Sequence, residues 1–102
     1  MTPEDQRREH RHLQELTHRN LMRLIDTELS LALTMSDLAE TEAKLGDEPH
    51  ARILLTKVTE AIDSVHQHMA DSSLSNDENR KIEDRLQEAA KRLDAVKEEV
   101  LK

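Results

Sequence analysis

PEDQRREHRHLQELTHRNLMRLIDTELSLALTMSDLAETEAKL, residues 3–45, runs for 43 positions with no glycine and no proline after the first, until Gly46 stops it. Thr2 ahead of Pro3, with Glu4 and Asp5 next, is an N-terminal signature: a hydroxyl cap, a proline in the first turn and acids at the positive end of the helix dipole. A glycine just past the last periodic residue is the matching stop. At ~1.5 Å per residue this predicts one helix of roughly 65 Å.

Two shorter helices follow. Asp47-Glu48-Pro49 opens one that is expected over 49–70, and Asp71-Ser72-Ser73 breaks it. Ser75 with Glu78 three residues later is a capping box, opening a third helix over 76–101. No strand-like alternation competes with this pattern. The predicted fold is therefore all-α, a single domain of 102 residues forming an up-down-up three-helix bundle with an overlong first helix.

Seam positions support it. Ile82, Leu86, Ala89, Leu93, Val96 and Val100 recur at four-and-three spacing, and Ala51, Leu54, Leu55, Val58, Ala61, Ile62, Val65 and Met69 form a broader face. In the first helix Leu24, Leu31, Leu38 and Leu45 recur every seven residues, flanked by Leu21, Ala32, Met35 and Ala39, and are expected to face the core. Folding helix two back about Gly46 makes facing residue numbers sum to about 94. Folding helix three back about Ser73 makes them sum to about 147, which sets Ile82 against Val65 and Leu93 against Leu54. Residues 23–102 suffice for this body, so residues 1–22 are expected to project beyond it, with Leu13 and Leu16 uncovered.

Composition narrows the function. The chain has no Phe, Trp, Tyr or Cys, and 36% of it is charged, for a net charge of −7. Lacking aromatics, a small core has modest apolar area to bury, and association with a partner is a common remedy. Base stacking and thiolate metal sites are excluded by the same absences. Residues 1–23 carry +1 and the rest −8, which disfavours nucleic acid and anionic membranes. Arginines 7, 8, 11, 19 and 23 are interleaved with acids and read as a solvated helix. No segment reads as a signal peptide or membrane span, and a cytoplasmic location is the simplest expectation.

Met22, Leu29 and Leu33 project roughly 180° from the leucine stripe and are expected in water on the outer face. Together with Leu13 and Leu16 they form the candidate partner surface, most simply for a homodimer. The expected function is a non-enzymatic interaction or oligomerisation module with no cofactor.

The six histidines supply the alternatives. Glu28 falls within the stripe, and the 94 register sets His66 opposite it. This pair is expected to be a buried hydrogen-bonded contact, or else a pH- or metal-responsive site. The same register pairs Glu42 with Arg52 as a salt bridge. Glu15-x-x-His18 and Asp63-x-x-His66 each put a carboxylate and an imidazole on one face, but about 15 Å apart along the bundle. His18 is the residue a phosphorelay bundle would use, on fold-level analogy alone.

Overall fold

The computed structural model describes residues 2–70 and 74–101, so the expected helix break at Asp71-Ser72-Ser73 lies outside the described residues. Three helices occur in order: α1 (Pro3–Lys44), α2 (Glu48–Ala70) and α3 (Asn76–Val100). Their boundaries are set by local hydrogen bonding. Thr2 Oγ1 accepts from the Asp5 N–H while the Asp5 carboxylate accepts from the Thr2 N–H. Ser75 and Glu78 make the same reciprocal pair at the start of α3. These contacts satisfy backbone donors that the first turn of a helix leaves unpaired.

The α1–α2 turn is a Schellman motif. The Asp47 N–H reaches the Glu42 carbonyl at 2.8 Å and the Gly46 N–H reaches the Ala43 carbonyl at 3.1 Å. Gly46 has φ of +87°, a conformation that costs a residue with a Cβ about 1–2 kcal/mol. Asp47 then accepts from the His50 N–H and caps α2.

The bundle is up-down-up. Two apolar clusters fill it. Near the Gly46 turn, Ala32 and Ala39 of α1 meet Ala51, Leu54, Leu55 and Val58 of α2 and Leu93, Val96 and Val100 of α3. Toward the other end, Ile25 and Leu29 meet Val65, Ile82 and Leu86, with Met22, Met69 and Leu74 closing over them. Ile62 packs against both clusters. The α2–α3 seam agrees with the expected register: Ile82 shares a cluster with Val65, and Leu93 and Val96 share one with Leu54 and Ala51.

The face of α1 differs from the sequence expectation. Its buried residues are Ile25, Leu29, Ala32, Ser36 and Ala39, again spaced by four and three. Leu24, Leu31, Leu38 and Leu45 point away from the core. The reason is volume. Near the turn α2 and α3 already supply Leu54, Leu55, Val58, Leu93 and Val96. Small Ala and Ser side chains let α1 approach them, whereas a leucine row there would overfill a close-packed interior. Ser36 is compatible with burial because its Oγ donates to the Ala32 carbonyl at 2.8 Å.

Ion pairs along the α1–α3 edge hold these parallel helices in register. Asp26 meets Arg85 at 2.6 Å, and Arg92 meets both Asp37 at 2.8 Å and Glu40 at 2.6 Å. At the far end His18 Nε2 lies 2.7 Å from Glu78 Oε2. The bundle therefore reaches back to His18, and the projecting part is shorter than residues 1–22. Residues 2–17 are all exposed, so about four helical turns are left uncovered by the other described residues.

Candidate interaction surface

The residues expected to form the partner surface are divided by the structure. Leu13 and Leu16 are exposed on the projecting segment. Leu29, expected in water, is 1% exposed and sits in the core. Met22 packs against the same cluster, and Leu33 is half-buried. These corrections share one cause: the buried face of α1 is rotated around the helix from the leucine row, so that Ala32 and Ala39 beside that row are buried and the leucines are not.

What lies outside is a second periodic seam. Leu24, Leu31, Leu38 and Leu45 are 43%, 48%, 42% and 75% exposed. Thr27, Thr34 and Thr41, also seven apart, are exposed between them. Leucine and threonine therefore alternate at four-and-three spacing, the a/d pattern of a coiled-coil seam. Continued upstream, the same positions are Asn20, Thr17, Leu13 and His10, all exposed. At ~100° per residue this seam lies about 150° from the buried one. One helix thus carries two nearly opposite heptad stripes, and the bundle covers one of them. The heptad of leucines was visible in the sequence; the companion threonines were the additional signal that this row is a seam in its own right.

The polar contacts are also rearranged. Glu28 Oε1 accepts from Ser64 Oγ at 2.8 Å and lies 3.8 Å from His68 Nε2, while His66 is exposed. The axial level of the expected Glu28–His66 pair is right, because residues 64 and 68 bracket 66. The azimuth is not: residues 64 and 68 share a helical face and 66 lies on the opposite side. Glu28 Oε2 is buried without a hydrogen-bond partner among the described residues, a costly state for a carboxylate oxygen. Likewise Arg52 pairs with Glu48 one turn earlier in α2, and Glu42 instead lies 3.6 Å from His50.

His18 is engaged with Glu78, whose carboxyl is held below the usual range by the Ser75 backbone N–H and then by His18. Glu42, Asp47 and His50 bring ligand atoms within 4.8 Å of one another at the α1–α2 turn. One Asp47 oxygen is committed to capping α2, and the positive end of that helix opposes a cation beside it. Among the described residues no helix is long and apolar enough to cross a membrane.

No family model, curated protein or solved structure matches the chain.

Proposed function

We propose that the chain is a non-enzymatic helical interaction module that self-associates through α1. The observation that carries this reading is the exposed row Leu24, Leu31, Leu38 and Leu45, continued by Leu13 onto the exposed segment 2–17. Isolated exposed leucines are ordinary, but leucines recurring every seven residues with threonines between them follow the a/d spacing along which helices pair. Closed two-fold dimers are the commonest way for a chain to cover such a stripe.

Light scattering at tens of micromolar tests the proposal, with a dimer expected. Leu31→Lys with Leu38→Lys should then yield a monomer whose helicity is unchanged, since neither residue belongs to the core. A wild-type chain that stays monomeric sinks the idea.

A further inference from the structure

Resting on that reading, we infer that the partner is a second copy of this chain whose α1 runs antiparallel along the outer seam, so that each projecting segment covers the other's bundle. Area and charge together select this arrangement.

Area comes first. Specific interfaces bury roughly 1,200–2,000 Å² in total, and about 1,000 Å² is a practical minimum. Contact limited to residues 24–45 would use a strip about 33 Å long and about 10 Å wide on each copy. That is on the order of 660 Å² for both copies, too little. Pairing along nearly the whole helix extends the strip to about 57 Å and the total to on the order of 1,100 Å². The projecting segment must therefore take part, and its own leucines are then covered as well.

Both helix orientations can give that length, and charge separates them. Residues 6–14 hold Arg7, Arg8, Arg11 and Glu9, for a net +2; residues 37–45 hold Asp37, Glu40, Glu42 and Lys44, for a net −2. An antiparallel pair sets +2 against −2 at both ends, or against −1 once Arg92 of α3, which pairs with Asp37 and Glu40, is counted; the sign stays complementary. A parallel pair sets each segment against its own copy and brings Asp37 beside Glu42 of the second copy across the seam. Parallel pairing would align Asn20 with itself and Arg23 with Glu28, but the Glu28 carboxylate is turned inward onto Ser64. Like charges held across a helical seam are destabilising where opposite ones stabilise.

Antiparallel registers that keep the seam in phase have facing residue numbers summing to 44, 51 or 58. A sum of 44 sets Arg23 beside itself and Glu9 beside Asp37, and a sum of 58 shortens the overlap to about 47 Å. A sum of 51 does neither. Leu13 then meets Leu38 of the second copy, Thr17 meets Thr34, and Asn20 meets Leu31. Leu24 and Thr27 pair about the two-fold axis. Glu9 flanks Lys44 and Arg7 flanks Glu42, each contact occurring twice by symmetry.

The chain has no cysteine, so disulfide trapping reads this geometry without background. Leu13 and Leu38 are about 37 Å apart on one helix, which excludes a bond within a chain. Under mild oxidation the double variant Leu13→Cys/Leu38→Cys should run as a covalent dimer on a non-reducing gel. Each single variant should stay uncrosslinked while remaining dimeric by light scattering. Efficient crosslinking of either single variant means a parallel pair and overturns the orientation while leaving self-association standing. A dimer in which the double variant fails to crosslink overturns the register. A monomer throughout overturns both this inference and the reading beneath it, and assigns the seam to a different protein.

Discussion

The two faces of α1 carry the same four-and-three spacing, yet the face with the smaller side chains is buried and the face with the larger ones is not. Inward lie Ile25, Leu29, Ala32, Ser36 and Ala39; outward lie Leu24, Leu31, Leu38 and Leu45 with Thr27, Thr34 and Thr41 between them. Hydrophobicity does not separate the two faces, because three threonines alternate with the outer leucines. The comparison teaches that a helix face is buried when its volume complements what its neighbours already fill. Apolar content decides that a face needs cover, and fit decides by what.

The comparison can be broken most forcefully at one buried and one exposed leucine. Leu29→Ala should cost about 2–5 kcal/mol, because it leaves a cavity against Ile25, Val65, Ile82 and Leu86. In a dissociated background such as Leu38→Lys, Leu31→Ala should cost no more than about 0.5 kcal/mol. Urea melts of the two variants measure the difference, and equal losses would mean that the faces have been assigned wrongly.

A smaller effect is expected from adding volume. Ala39→Leu should destabilise by about 1–3 kcal/mol, because Ala39 is fully buried among large side chains of α2 and α3. That variant supplies the leucine the sequence pattern wants and should still lose stability. A gain would show that the turn-end core has spare room.

The smallest effect concerns the rim of the inner face. The Glu40 carboxyl is held below its ordinary range by Lys44 and then Arg92. A carboxylate whose pKa is depressed by folding contributes stability above its unfolded value, near pH 4, and loses it as pH falls through the folded value. Thermal melts should therefore decline below about pH 4, and Glu40→Gln should make that decline shallower. Because the group is only partly buried at the rim, the change should be modest and should shrink further in high salt.

Much of the architecture was legible because its signals are local. The caps Thr2 and Ser75, the stop at Gly46 and the register of α2 against α3 all follow from groups close in sequence or from a seam with a single apolar face. Leu13 and Leu16 were legible as exposed because the segment extends beyond the length that α2 and α3 can cover. The errors at Leu29, at His66 and at Arg52 are of one kind. For each residue the sequence register gives the level along the bundle, while the angle around the helix depends on the packing of the other helices.

The sequence by itself determined where each helix begins and ends, that there are three, and at what height they meet, because unpaired backbone groups and loop lengths impose those terms locally. Only the tertiary structure decided which of two equally periodic faces of α1 turns inward. That choice depends on the volumes presented by two other helices at once, and no window of one helix contains them.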